Sequence, residues 1–153
     1  MNQPFRTTLT IMPDYGFGPF LWRTEHADER GVGPNICDAS HWDPTMPLSE
    51  PLWLLFAIWV GSFELAGISP DEFERNGWDW SAFHDRGRYL AYRLKQEVGH
   101  EYRVVYEKPC EDPDHLVDER QEILLDGGRK ALPPHHILCP HSGLTGNQSP
   151  TTR

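Results

Sequence analysis

A chain of 153 residues with 14 Lys+Arg against 23 Asp+Glu, net charge −9, is long enough to bury one ordinary core without covalent staples. The imbalance lies in the first 126 residues, since positions 127–153 hold Arg129, Lys130 and Arg153 and no carboxylate. Such a field repels phosphate backbones and anionic lipid, so nucleic acid and membrane surfaces are disfavoured as partners and a basic protein is favoured.

From the N-terminus, Phe5, Thr7, Leu9 and Ile11 alternate with Arg6, Thr8, Thr10 and Met12. A period of two predicts a strand, and Pro13 ends it. Asp14 to Leu48 is rich in Gly, Pro, Asn and Asp. A loop of that length in a compact domain predicts a hidden short strand, placed at Phe20 to Arg23 as a hairpin back onto the first. Ser49 stands where a helix cap belongs, Pro51 suits a first turn, and Leu52, Leu55, Phe56, Trp59, Val60 and Phe63 recur at helical spacing. This predicts a first helix from Glu50 to about Leu65. Trp53, Leu54 and Ile58 lie off its main stripe, making it apolar nearly all round.

Gly67 and Ser69-Pro70 close that helix and open a polar connection. A second helix, capped by Asp79 or Ser81 and stopped by Gly99, follows from Trp80, Phe83, Gly87, Leu90, Ala91, Leu94 and Val98, with Asp85, Arg86, Arg88, Arg93, Lys95 and Glu97 on its polar face. Glu101 to Glu107 alternates as a strand, and Glu122 to Leu125 offers a last one. The order implies an α+β fold, with a small antiparallel or mixed sheet and two main helices packed on one face. Residues 1–126 are expected to form one domain, and 127–153 a flexible tail containing His and Pro.

Three cysteines, Cys37, Cys110 and Cys139, are odd in number and widely spaced, unlike a secreted disulfide framework. The first residues show no basic leader ahead of an apolar run, and the longest apolar run, Pro51 to Val60, falls well short of the roughly 20 residues that span a bilayer. A cytoplasmic protein is expected.

Catalytic signatures are missing: no G-x-S-x-G elbow, phosphate-binding loop, dinucleotide fingerprint or H-E-x-x-H occurs. Gly16-Phe17-Gly18 reads as turn chemistry. His84 and Asp85 are adjacent on a helix, point about 100° apart and read as a solvated surface. Cys37 with His26 or His41 offers a Cys-His pairing as a minor alternative, and a free thiol of this kind reads first as an inert small hydrophobe. Neither enzymatic activity nor a cofactor is expected. The tail gathers His135, His136, Cys139 and His141, donors suited to zinc or copper, with Cys110 and His115 as conceivable additions. A metal-binding protein or small metal-dependent enzyme using this tail is the alternative reading.

Two features suit recognition. The Pro13 to Trp22 turn carries Asp14, Tyr15 and Trp22, and aromatic residues of this kind anchor interfaces. The segment Glu111 to Glu122 sets six carboxylates, Glu111, Asp112, Asp114, Asp118, Glu119 and Glu122, against Arg120 alone. It reads as a solubilising loop or, in a functional role, as an electrostatic landing site for a basic protein.

The strand ending in MPDYG, the GPFLW segment, GPNI at Gly33 to Ile36, MPLS at Met46 to Ser49 opening a helix, and YRVVY at Tyr102 to Tyr106 together resemble small acidic bacterial proteins, some of them immunity proteins of contact-dependent toxin systems. The resemblance covers about residues 7 to 107 and rests on structural rather than catalytic motifs. It implies a protein that binds and neutralises a cognate toxin, for which the turn and the acidic segment offer Asp14, Tyr15, Trp22, Glu111, Asp112 and Asp114 as candidate contacts. The apolar first helix departs from that pattern and raises a homodimer as a further arrangement.

Overall fold

In the computed structural model, residues 7–16, 18–25, 33–37 and 41–134 are described. The chain runs β1 (Thr8–Ile11), β2 (Leu21–Thr24), α1 (Glu50–Ala66), α2 (Pro70–Arg75), α3 (Trp80–Val98), a short 3-10 turn (Gly99–Glu101), β3 (Arg103–Glu107), β4 (Arg120–Ile123) and β5 (Arg129–Ala131). The strands form one mixed sheet in the order β2-β1-β3-β4-β5. All neighbours are antiparallel except β1 and β3, which run parallel with Thr8 opposite Arg103 and Ile11 opposite Tyr106. The α+β architecture expected from the sequence is therefore present.

Side chains alternate across a strand. Leu9, Ile11, Leu21, Val104, Tyr106 and Ile123 join the buried cluster shared with the helices. Thr8, Thr10, Val105, Glu107 and Glu122 occupy the alternate positions and are buried as well, with ion pairs Arg103–Glu122 at 3.3 Å and Arg120–Glu107 at 3.4 Å.

The helix ends follow local chemistry. Ser49 caps α1 by accepting from the Leu52 amide, while its own amide and hydroxyl donate to the Glu97 carboxylate at 2.8 and 2.7 Å. That clamp ties the start of α1 to the end of α3. Asp79, one of the two residues expected to cap the last helix, accepts from the Ala82 amide at 3.0 Å, and Gly99, at φ 61°, terminates it. Between them, Trp59 stacks on Phe83 at 4.5 Å and donates its indole N–H to the Phe83 carbonyl. Each such fully buried large side chain stabilises the fold by about 1.5–3 kcal/mol. Gly87 makes the close approach possible: a Cβ there would sit 2.4 Å from Trp59 and 2.5 Å from Tyr106.

Three expectations change. The connection after Gly67 contains α2, capped by Ser69, whose Phe73 packs on Phe63 at 5.2 Å. The last strand begins two residues earlier than Glu122. The segment assigned to the tail contributes β5, with Glu122 opposite Lys130 and the Leu132 amide bonded to the Arg120 carbonyl. The turn at Asp126 to Gly128 is a hairpin bend, which is why its Asp-Gly-Gly sequence resembled a domain end.

Candidate binding surface

Met12 to Gly16 follows β1, and Lys108 to Asp112 follows β3. Because the two strands are parallel neighbours, both segments leave the sheet at the same end. Asp14 is exposed and accepts from the Tyr15 amide at 2.8 Å. Tyr15 is half-buried, packs on Phe63 at 5.0 Å and donates its hydroxyl to the Gly67 carbonyl at 2.9 Å. Burial, then the charge and hydrogen bonding of Glu111, push its phenol well above the ordinary range. Trp22 donates to the Met12 carbonyl at 2.9 Å and stacks on Phe20 at 5.5 Å. Asp14, Tyr15, Ile68, Cys110 and Glu111 line one hollow of about 430 Å³. Trp22 and Asp114 are not among its lining. The two aromatics thus secure the turn from within, which leaves little of either as an outward anchor.

The acidic segment also differs from its expected form. Glu111, Asp112, Glu119 and Glu122 are buried, and Asp114 and Asp118 are exposed. Asp112 accepts from His84 Nε2 at 2.7 Å, and His84 Nδ1 lies 2.7 Å from the Tyr106 hydroxyl. A neutral imidazole with its proton on Nε2 completes both contacts: the carboxylate accepts from Nε2–H, and Nδ1 accepts from the phenol. The charges agree with this arrangement. Burial pushes the His84 pKa down against the pull of Asp112. Burial alone would raise Asp112, yet the His84 N–H and the Asp114 amide at 2.8 Å hold its carboxyl below the usual range.

His84 is therefore no solvated surface residue; it is 4 % exposed, whereas Asp85 is exposed as expected. Four residues after Trp80 and three before Gly87, it lies on the apolar stripe of α3, a spacing that marks it as inward-facing. Lys95, expected on the polar face, is likewise buried and donates to the Tyr102 carbonyl at 2.6 Å. The Asp112–His84–Tyr106 chain resembles a catalytic relay in composition. Its three members are buried, and they fasten the segment after β3 to α3.

Besides Leu116 and Val117 on the acidic segment, an apolar surface that faces outward lies on α1. Leu54, Ile58 and Leu65 are 49 %, 70 % and 90 % exposed, and with Gly61 they fall at steps of four, three and four along one helix face. A Cβ added at Gly61 would meet nothing within 4 Å. Ile68, 67 % exposed, lies past the helix end at the hollow beside Asp14 and Tyr15. Beside the stripe, between α1 and the start of α3, opens a groove of about 450 Å³ lined by Ile58, Trp59, Trp78, Phe83, Asp79 and Arg86, among others. Between positions 50 and 79 the sequence is acidic: Glu50, Glu64, Asp71, Glu72, Glu74 and Asp79 accompany Arg75 alone, with Glu50 one turn before Leu54, Glu64 beside Leu65 and Asp79 at the groove. All of them are exposed except Glu64 and Glu72, which are half-exposed. The all-round apolar pattern of α1 was visible in the sequence; which side lacked a cover was not.

His135, His136, Cys139 and His141 lie outside the described residues, as does His26. Among the described residues no cluster of three or more His, Cys, Asp or Glu could hold a metal ion. Cys37 is buried, with its thiol pushed up to about 12 by burial and then by Asp43, and His115 is buried with Nδ1 3.0 Å from the Asp112 carbonyl. No helix among the described residues is long and apolar enough to cross a membrane. No known family model, curated protein or solved structure matches this chain.

Proposed function

We propose that this protein is a cytoplasmic bacterial immunity protein, which binds a cognate toxin and neutralises it by charge-steered association. One observation carries the reading: an exposed aliphatic stripe on α1, Leu54–Ile58–Leu65, with Glu50 and Glu64 on the same helix, on a chain of net charge −9. Aliphatic side chains of this exposure on one helix face suit burial against another protein. Outward carboxylates accelerate encounter with a cationic one. The reading moves the contact surface away from Tyr15, Trp22, Glu111 and Asp112, whose side chains serve the fold, and leaves Asp14 and Asp114 as exposed charges that add to the field.

Co-expression with the product of the adjacent gene tests it. Rescue of growth together with a stable complex is the expected result; a neighbouring gene product that is harmless and does not co-purify would overturn the reading.

A further inference from the structure

The immunity reading leaves open what kind of surface the partner presents, and this inference rests on that reading only for its biological setting. We infer that the α1 stripe and the adjoining groove form a single docking surface for an amphipathic basic helix, with an apolar face seated along Leu54, Ile58 and Leu65 and lysines or arginines at its margins.

Shape supports this occupant. Leu54 to Leu65 spans about 16 Å at helical rise, the length of roughly three turns of a partner helix. The stripe continues sideways at Ile58 into the groove, whose floor includes Trp59 and Phe83, so a partner helix lying along α1 can insert a large apolar side chain there. The missing side chain at Gly61, midway between Ile58 and Leu65, lets a second backbone come close.

Charge decides between occupants. Glu50 lies one turn before Leu54 on the same face of α1, Glu64 beside Leu65, and Asp79 at the groove, against the groove's Arg86. A second copy would bring the same carboxylates to this face and meet them with like charge. An anionic lipid surface meets the same repulsion. A small apolar molecule would fill the groove but leave most of the stripe in water. A helix with an apolar face and cationic flanks satisfies both the stripe and its surround.

The test titrates the full-length protein with a synthetic helical peptide of leucine and lysine at amphipathic spacing, and in parallel with its leucine–glutamate counterpart, while following backbone amide shifts. Saturable shifts at Leu54–Leu65 and Trp78–Arg86 with the lysine peptide, absent with the glutamate peptide, are expected. Ile58→Glu, at an exposed position that leaves the spectrum of the folded protein dispersed, should weaken binding at least about tenfold. Leu116→Glu, on the exposed segment after β3, should leave binding unchanged. Shifts centred on residues 111–118, equal affinity for both peptides, or undiminished binding by Ile58→Glu would overturn the inference. So would concentration-dependent shifts at Leu54–Leu65 in the protein alone, which would give the stripe to a second copy.

The two readings separate cleanly. If Ile58→Glu still rescues growth and co-purifies with the toxin, the docking surface is wrong and the immunity function stands. If the peptide maps to α1 but co-expression yields neither rescue nor complex, the surface stands and the immunity function falls.

Discussion

Two acidic regions of this protein look alike in sequence and behave oppositely in the fold. The segment after β3 turns Glu111 and Asp112 inward, with Glu119 and Glu122 buried further along; Asp112 is bound to His84 at 2.7 Å. The region from α1 to the start of α3 turns most of its carboxylates outward and leaves Leu54, Ile58 and Leu65 exposed. A run of carboxylates therefore does not reveal whether its charge is used within the fold or offered to a partner. What separates the two cases is the presence of an inward-facing donor, such as His84, within reach.

The largest expected break in this contrast is His84→Ala. It strips Asp112 and Tyr106 of their shared partner inside the core, and leaving a buried charged acceptor short of a donor costs about 3 kcal/mol, to which the lost packing of the ring adds. Urea unfolding should show that loss. A loss below about 1 kcal/mol would mean that Asp112 finds water as readily as it finds the imidazole.

Next is Gly87→Ala. The added methyl would collide with Trp59 and Tyr106, and overpacking of about 1–3 kcal/mol should outweigh the gain of about 1 kcal/mol in helix propensity. Thermal unfolding would check the sign, and a stabilised variant would show that the two rings can yield.

Tyr15→Phe removes the hydrogen bond to the Gly67 carbonyl and should cost about 1 kcal/mol without loosening the rest of the turn. In denaturant titration its midpoint should fall while the slope stays constant. The smallest stability effect belongs to Ile58→Glu, which lies in water already and should stay within about 0.5 kcal/mol of the parent. A much larger loss would show that the stripe supports the fold, and the contrast between the regions would collapse.

Acid sharpens the same comparison. His84 and Asp112 both have lowered proton affinity in the folded state, so the unfolded chain binds more protons than the native one as pH falls. The His84 contribution is complete above its unfolded value of 6.5 and erodes below it; that of Asp112 follows in the carboxylate range. The melting temperature should therefore drop between pH 7.5 and 5, and His84→Asn should flatten that slope. An unchanged slope in the variant would place the acid sensitivity elsewhere.

Much of the framework was legible from short-range pattern. The helical spacing from Leu52 to Phe63, the caps at Ser49 and Asp79, and the alternation of Tyr102 to Tyr106 each report a local preference that the tertiary fold did not oppose. The site was less legible, for a physical reason. Burial of His84, Lys95, Glu111 and Asp112 depends on partners 7 to 28 residues away in the chain or more, and polar residue type alone argues for solvent. His84 and Lys95 nevertheless carried a signal, since both fall on the apolar stripe of α3. The elements that escaped, α2 and β5, are six and three residues long, too short for a period to show, and are held by Phe63 and by pairing with β4.

The parallel pairing of β1 with β3 governs how the chain reaches its fold. Thr8 must find Arg103, and between them lie β2 and all three α-helices. Contacts so remote in sequence carry a large closure entropy and form slowly. During synthesis, at about 5–20 residues per second, the β1–β2 hairpin and the helices emerge well before the strand that joins the sheet's two halves. We predict that the centre of the sheet is the last part to gain protection: pulse-labelled hydrogen exchange should find α3 amides shielded before those of β1. Simultaneous protection would indicate that helices and sheet condense together. Until β3 arrives, the apolar flanks of β1 have nowhere permanent to rest, which makes the N-terminal half the part of the nascent chain most exposed to chaperones and proteases.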